Sequence, residues 1–267
     1  MPPTQDAAGR SLIDRYDREA PDYRDLWAPT LRIAGRRLLG ELAQHPAHWV
    51  VDVATGVGSL LPDLRASFPS ARIVGVDRSR GMLTLVSKEF PIAVMDATRL
   101  GVASGSVDLV LLAFVLFHLQ EPGQGLLEAH RILTATGRVG CITWAGDLLS
   151  TAGRIWADCL DAHGAPPGDP AAISRHEAVD TPPKMEQLLR GVGFQNVRSW
   201  EEELVDRFDL ERLLRLRTTL GAMKPRFDGL APDARAACFS AARQRMESLT
   251  PDEFVARGKV VYSIAYR

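Results

Sequence analysis

Short apolar runs alternate with amphipathic segments through the middle of the chain, from residue 50 to residue 145. Runs rich in β-branched residues predict buried strands, whereas apolar residues spaced three and four apart predict helices. Strands and helices that alternate at this spacing form a parallel sheet with right-handed crossovers, so the predicted fold class is α/β. The predicted strands are 50–53, 72–77, 92–96, 108–114 and 138–145, and the predicted helices are 60–68, 79–90 and 122–133.

The regular alternation does not reach either end of the chain. Residues 1–10 are predicted to be disordered. Residues 11–44 are predicted to form two or three helices that Pro21 and Pro29 interrupt. Beyond residue 145 the pattern predicts further helices, two strands and a long loop rich in Pro and Gly. These later elements are a helix over 148–163, the loop over 164–180, a helix over 184–189, strands over 195–203 and 258–266, and a helical insertion over 210–250.

The stretch from Val50 to Leu60 has the form of a ligand-binding turn. An apolar strand is followed by two glycines at alternate positions, Gly56 and Gly58, and then by the start of a helix. Glycines let the backbone approach a ligand closely, and a helix start presents free N–H groups. The sequence therefore predicts a cradle for a nucleoside-type ligand.

Three neighbouring positions narrow the identity of this ligand. Asp77 ends the next predicted strand, 21 residues after Gly56, where a carboxylate can accept from both hydroxyls of a ribose. Asp52 places a negative charge at the turn, which repels a pyrophosphate and attracts a cationic amino-acid group. Leu61 stands where a dinucleotide fingerprint has its third glycine. The pattern favours an adenosine that carries a positive group over NAD or FAD.

Residues 52–58, Asp-Val-Ala-Thr-Gly-Val-Gly, resemble motif I of the class I S-adenosylmethionine-dependent methyltransferases. The resemblance covers about residues 45–146 and points to the small-molecule type, similar to enzymes of ubiquinone and menaquinone biosynthesis. It implies a seven-stranded Rossmann-like fold with a mostly parallel sheet, an antiparallel last strand and a helical cap. The segments similar to the later motifs are 76–83, 95–97, 108–119 and 129–144.

The resemblance implies S-adenosyl-L-methionine as the cofactor, with S-adenosyl-L-homocysteine as its product. Asp77 is then expected at the ribose, Asp52 near the ammonium group, and Asp96 at the adenine amino group. Arg78 departs from the family, which often has an apolar residue there against the adenine. The full set of expected cofactor-binding residues is Asp52, Thr55, Gly56, Gly58, Asp77, Arg78, Met82, Asp96, Ala97 and Phe114.

The first of the N-terminal helices carries aromatic residues among many charges, so it cannot form the central core. The pattern Asp-x-x-Ala…Tyr…Trp that begins at Asp17 resembles the N-terminal cap of small-molecule methyltransferases. Tyr16, Tyr23 and Trp27 are predicted to belong to a lid over the ligand. The alternative is that these three rings only anchor the helices to the domain.

The chain is predicted to form one domain with three parts. These are the lid over residues 1–44, the cofactor-binding core over 45–147, and the remainder over 148–267 with cap insertions at about 148–183 and 205–255. Strand carboxyl ends hold the ligand in sheets of this class. We therefore expect the insertions and the lid to form a roof that selects the substrate.

His118 is the one histidine near the predicted site, and it is a candidate general base because imidazole titrates near neutral pH. A structural role is the competing interpretation. His176, in the predicted loop, is a second and weaker candidate. Methyl transfer from a sulfonium needs mainly alignment of the reacting groups, so the site can function without any catalytic residue.

Composition and charge argue against several classes of partner and site. The 267 residues are 46% hydrophobic with a net charge of -1, which suits one domain with a sizeable core and argues against nucleic acid as a partner. The three cysteines show no metal-binding spacing, and an odd number without pairs suits a reducing cytoplasm. No metal, no membrane segment and no signal peptide is expected, and a homodimer stays open.

The sequence thus predicts methyl transfer to a small organic acceptor of specialised metabolism. Aromatic residues in the insertions, Trp156 and Phe208 among them, favour a hydrophobic or aromatic acceptor. Oxygen is the first choice of methylated atom, with nitrogen or carbon also open. Two alternatives are a non-catalytic protein that binds S-adenosylmethionine as a partner subunit, and a cyclase-type enzyme on the same scaffold.

Overall fold

The computed structural model describes residues 5–267, with side chains from residue 12 onward. The strands, numbered along the chain, are β1 Trp49–Val53, β2 Arg72–Asp77, β3 Ile92–Val94, β4 Val107–Ala113, β5 Leu133–Trp144, β6 Gln195–Arg207 and β7 Val255–Tyr266. They form one sheet in the order β3-β2-β1-β4-β5-β7-β6. The first five strands pair in parallel, and β7 runs antiparallel to β5. The predicted α/β class and the seven-stranded Rossmann-like sheet are confirmed.

The centre of the sheet lies at β1. Val50 pairs with Ile73 of β2 on one side and with Leu109 of β4 on the other, and all three side chains are buried. A strand that is covered on both faces has no solvent-exposed face, so apolar and polar residues do not alternate along it. This explains the continuous apolar runs. Because these strands are parallel, their carboxyl ends meet at one edge of the sheet.

The helices are α1 Gln5–Asp22, α2 Ala28–Leu42, α3 Leu61–Ser67, α4 Arg80–Leu83, α5 Pro122–Ile132, α6 Thr151–Ala162, α7 Pro170–Glu177, α8 Pro182–Gly191, α9 Leu210–Thr219, α10 Lys224–Asp228 and α11 Pro232–Met246. Proline stands in the first turn of α5, α8 and α11, where its missing N–H costs no intrahelical hydrogen bond. The side chains of Ser150 and Asp209 cap α6 and α9.

The N-terminal segment differs from the prediction. Helix α1 begins at Gln5, so the predicted disorder is wrong for residues 5–10, while residues 1–4 lie outside the described residues. Pro21 lies in the last turn of α1, and Pro29 lies in the first turn of α2. A π-helical turn, Tyr23–Trp27, joins the two helices.

Three later elements also differ in extent. The predicted helix over 79–90 stops at Leu83, because the next N–H groups bond three residues back, as Leu85 does to the carbonyl of Met82. The predicted loop over 164–180 contains α7. Strand β5 starts directly after α5, because Leu133 already pairs with Val107 across an irregular register.

The chain divides into two compact units. The first consists of residues 1–145, 175–202 and 260–267, and the second of residues 146–174 and 203–259. Within the second unit, α6 and α11 pack together, and Trp156 lies 5.2 Å from Phe227 between ring centroids. All three cysteines are buried and free.

Candidate functional site

A cavity opens in the first unit at the carboxyl edge of the parallel strands, with about 760 Å³ of empty space including its mouth. The lining comes from α1, the turns after β1, β2 and β4, and the segment after β3. Its residues are Leu12, Ile13, Tyr16, Tyr23, Ala54, Gly56, Asp77, Arg78, Ser79, Met82, Met95, Ala97, Ala113, Phe114, Val115, His118 and Leu119.

The turn after β1 forms one wall and is held by Asp77. Ala54 and Gly56 both have left-handed backbone angles, with φ of 59° and 57°. The amide N–H of Gly56 donates to Oδ2 of Asp77 at 2.9 Å, and the N–H of Ser79 donates to Oδ1 at 2.8 Å. Burial raises the pKa of Asp77, and the backbone N–H donors oppose that rise. Each carboxylate oxygen can accept a second hydrogen bond, so Asp77 fixes the turn and still faces the cavity.

Asp52 lies behind this turn and does not line the cavity. It is 2% exposed, and its Oδ2 accepts from the hydroxyl of Thr55 at 2.6 Å. Burial raises the pKa of Asp52 to about 7, and the nearby charge of Asp77 adds to the rise. The predicted neighbours Asp52 and Thr55 are therefore supports of the turn, and Asp52 is half-protonated near neutral pH.

Gly58 serves packing. Its φ is 72°, and a Cβ added there would lie 2.9 Å from Val86 and 3.0 Å from Leu61. Gly58 does not line the cavity. At Gly56 the nearest atom to an added Cβ is a ring carbon of Tyr23 at 3.7 Å, so Gly56 is the position at which the backbone faces the ligand space.

Arg78, Asp96 and Ala97 form the rim beside β3. Nε of Arg78 lies 3.4 Å from Oδ2 of Asp96, and both side chains are about one-third exposed. Oδ1 of Asp96 accepts from the N–H and the hydroxyl of Thr98, at 2.8 and 2.7 Å. Arg78 and Ala97 line the cavity, whereas Asp96 stands behind them. The arginine that departs from the family pattern therefore pairs with the acid predicted to meet the adenine.

Phe114 is strained at the end of β4. Its φ is 58°, in the left-handed region that non-glycine residues rarely adopt, and its ring packs 4.9 Å from that of Trp144. Strain of this kind is stored at functional sites when the surroundings enforce it. Trp27 also stacks on Trp144, with 5.8 Å between the ring centroids, and does not line the cavity. The structure thus places two predicted lid residues, Tyr16 and Tyr23, at the cavity and uses Trp27 as an anchor.

Tyr16 and His118 join across the cavity. The Tyr16 hydroxyl lies 2.9 Å from Nε2 of His118, although 102 residues separate them in the chain. Burial lowers the pKa of His118 to about 3, with smaller contributions from Arg15, His176 and Arg175. The imidazole is therefore neutral at physiological pH. Burial also raises the pKa of Tyr16, so the phenol stays protonated.

Sequence reasoning missed several cavity residues. Those with apolar side chains are Leu12, Ile13, Met95, Ala113, Val115 and Leu119. Ser79 also lines the cavity and caps α4, since its hydroxyl accepts from the N–H of Met82 at 3.0 Å. The apolar residues could not be recognised in the sequence, because their residue types are common and only the fold brings them to the cavity.

The described residues contain neither a metal-type cluster nor a membrane-spanning helix. Over the part of the chain that the structure describes, no cluster of three or more His, Cys, Asp or Glu side chains has an arrangement suited to a metal ion. None of the helices within residues 5–267 combines the length and the apolar character that crossing a bilayer requires.

Comparison with known proteins places this site in a family. Residues 51–141 match the family described as a methyltransferase domain. The chain is 32% identical over 113 residues to a ubiquinone/menaquinone biosynthesis C-methyltransferase of Desulfotalea psychrophila, covering 40% of this chain and 46% of that protein. It is 31% identical over 150 residues to a malonyl-[acyl-carrier protein] O-methyltransferase of Hahella chejuensis, covering 54% and 53%. The chain thus spans about half the length of these curated relatives.

A solved structure extends the likeness to the fold. The Thermotoga maritima protein described as an S-adenosylmethionine-dependent methyltransferase, possible histamine N-methyltransferase, superposes with a TM-score of 0.53 at 17% identity. The match covers 95% of this chain and 99% of that one. The matched domain contains the glycine turn and Asp77 in the order and spacing of the family motifs. With the sheet order, the cavity and the sequence relatives in agreement, residues 51–141 form a methyltransferase domain, and the chain has the fold of the S-adenosylmethionine-dependent methyltransferases.

Proposed function

We propose that this protein transfers a methyl group from S-adenosylmethionine to a small, hydrophobic or aromatic acceptor. The observation that carries the proposal is the placement of Asp77, whose carboxylate is fixed by the N–H groups of Gly56 and Ser79 and faces the cavity. A carboxylate so held can accept hydrogen bonds from a ribose. The relatives are named for carbon and oxygen acceptors, so the methylated atom stays open among oxygen, nitrogen and carbon.

The residues present suit the cofactor at each part of the cavity. Asp77 would accept from the ribose hydroxyls, Met82 would cover one face of the adenine, and the N–H of Ala97 would lie at its edge. The left-handed turn at Phe114 would direct its backbone carbonyl toward the ammonium group. When bound, S-adenosylmethionine supplies a methyl group that its sulfonium has already activated.

We place the acceptor beside the apolar residues of the cavity lining. These are Leu12, Ile13, Val115 and Leu119, together with the ring of Tyr16. Such a lining excludes water and favours a hydrophobic or aromatic acceptor, while the Tyr16 hydroxyl and His118 provide the polar contacts that would orient it. Orientation is the main requirement of an in-line methyl transfer, so this end of the cavity would act chiefly by alignment.

His118 is better suited to orienting the reacting groups than to acting as a general base. An imidazole whose pKa is lowered to about 3 by burial and nearby cations does not hold a proton at pH 7. We therefore propose that His118 acts as a neutral partner that fixes the Tyr16 hydroxyl. An acceptor that must lose a proton would then need to be acidic itself.

Substitution of His118 separates the two roles. We expect His118→Gln, which keeps a hydrogen-bonding group for Tyr16, to retain methyl transfer within about fivefold, and His118→Ala and Tyr16→Phe to lose about tenfold each. A general base would instead cost about 10²- to 10⁴-fold in both His118 variants and give a rate that titrates between pH 5 and 8. Initial rates of the four proteins over that pH range decide the matter.

The proposed function is tested by product mass. The protein is incubated with S-adenosylmethionine and a panel of phenols, quinols, carboxylic acids and amines, and the products are analysed by mass spectrometry. We expect one acceptor class to gain the mass of one CH₂ group while S-adenosylhomocysteine accumulates in equal amount. Binding of S-adenosylhomocysteine without transfer to any acceptor would indicate a binding protein, and a dehydrated or cyclised product of unchanged carbon count would indicate other chemistry.

A further inference from the structure

Asp17 of α1 makes a double contact with the start of α4. Its Oδ1 accepts from the hydroxyl of Ser79 at 2.5 Å and from the backbone N–H of Gly81 at 2.8 Å. The two elements are far apart in the sequence, because the bonded residues are 62 and 64 positions apart. The contact therefore belongs to the tertiary structure and is not a local turn.

Gly81 permits this contact. A Cβ added at Gly81 would lie 2.6 Å from Cα of Asp17 and 2.7 Å from its carbonyl oxygen. The obstacle is backbone, which cannot rotate away as a side chain can. Only glycine allows the backbone of α1 to rest directly on the first turn of α4.

The contact continues to the glycine turn through hydrogen bonds. The hydroxyl of Ser79 donates to Asp17, and the backbone N–H of Ser79 donates to Asp77 at 2.8 Å. Asp77 in turn accepts from the N–H of Gly56 at 2.9 Å. An uninterrupted path of hydrogen bonds therefore runs from α1 to the turn after β1.

The residue next to Asp17 connects α1 to the opposite side of the cavity. Tyr16 bonds to His118, which follows β4, at 2.9 Å. Two consecutive residues of one helix thus hold α1 to two different strand ends, with the cavity between them. Leu12 and Ile13 of the same helix also line the cavity, where we place the acceptor.

We infer that Asp17 is a positioning residue that couples α1 to the ribose-binding loop, so that cofactor binding orders the acceptor end of the cavity. This inference rests on the proposed function, because it assigns the ribose to Asp77. Asp17 itself touches neither reactant. It holds Ser79, which orients Asp77, and it holds the helix that carries Tyr16, Leu12 and Ile13. Coupling of this kind is reciprocal, so a cofactor that stabilises the loop must also stabilise α1.

The test compares four variants by calorimetric titration with S-adenosylhomocysteine. We expect Asp17→Ala to weaken binding about 3- to 30-fold, the range for loss of a carboxylate that caps backbone N–H groups. Asp17→Asn keeps an acceptor oxygen and should stay within about threefold of the wild type. Gly81→Ala, which pushes α1 away by a different route, should match Asp17→Ala. Asp14→Ala changes an exposed carboxylate on the same helix and is the matched control.

Hydrogen exchange of α1 supplies the second readout. We expect S-adenosylhomocysteine to slow amide exchange over residues 12–22 in the wild type and in Asp17→Asn, and to have little effect there in Asp17→Ala and Gly81→Ala. The double variant Asp17→Ala/Gly81→Ala should bind no more weakly than either single variant, since both remove the same contact.

The outcomes separate this inference from the proposed function. If the wild type binds S-adenosylhomocysteine while Asp17→Ala and Gly81→Ala bind it equally well, the coupling is refuted and the proposed function stands. If the wild type does not bind it at all, the proposed function fails first. Should Asp17→Ala fail to fold, Asp17→Asn and Gly81→Ala still decide, because the inference requires one to bind nearly normally and the other weakly.

Discussion

Replacement of Asp77 by Ala is expected to weaken binding of S-adenosylhomocysteine by at least about tenfold. The loss of a charged hydrogen bond to the ribose accounts for roughly 1–3 kcal/mol. The structure adds a second cost, since the N–H groups of Gly56 and Ser79 both lose their acceptor. Asp77→Asn should behave similarly, because its amide NH₂ must face one of those two N–H donors. Isothermal titration calorimetry at constant pH and salt measures the effect.

Asp108 offers a matched control for this experiment. Its Oδ2 accepts from the backbone N–H groups of His48 and Trp49, at 2.8 and 2.9 Å, as Asp77 accepts from two N–H groups. Asp108 lies at the start of β4, at the edge of the sheet away from the cavity. We expect Asp108→Ala, which removes this acceptor as Asp77→Ala does, to lower thermal stability and to leave the dissociation constant within about twofold. Equal losses of affinity in both variants would point to general destabilisation and contradict the ribose assignment.

We expect cofactor binding to be coupled to the release of a proton from Asp52. Its pKa is raised to about 7 by burial, so much of the free protein carries a protonated Asp52 at neutral pH. A bound ligand with a positive group favours the carboxylate and lowers that pKa, and binding therefore releases protons. We expect affinity to rise with pH between about 6 and 7.5, by no more than tenfold per pH unit. Calorimetry in buffers of different ionisation enthalpy gives the number of protons released.

Asp52→Asn should remove this pH dependence and change stability in a defined direction. A group whose folded pKa lies above its unfolded value stabilises the protein fully at low pH, and that stabilisation is lost as the pH rises through the folded pKa. The difference between 3.8 unfolded and about 7 folded corresponds to on the order of 4 kcal/mol. The ligand-free variant should therefore gain stability relative to the wild type as the pH rises from 4 to 7. A stability difference that does not change over this range would show that Asp52 titrates normally.

The core of the fold could be predicted because its information is local. Strands covered on both faces have continuous apolar runs, and β1, β2 and β4 lie close to the ranges that these runs predicted. The glycine turn and Asp77 could be found in the same way. The turn needs residues that tolerate left-handed angles, and the acid must stand one strand later.

The extent of several elements could not be predicted, because tertiary contacts determine it. Helix α4 stops after four residues, and the N–H of Gly81 in its first turn donates to Asp17 of another helix. The N-terminal helices continue past Pro21 through a π-helical turn, which no spacing of apolar residues signals. Trp27 looked like Tyr16 and Tyr23 in the sequence, yet it stacks on Trp144 because β5 places that ring beside it.

By itself, the sequence determined the α/β class, the order of the motifs and the identity of the acid that faces the ligand cradle. These depend on residue types at short separations, where backbone geometry leaves few choices. Only the tertiary structure decided that Gly58 serves packing, that Asp52 and Thr55 support the turn from behind, and that Tyr16 meets His118. Those assignments depend on which side chains from distant segments share a space, and on how burial changes their charge.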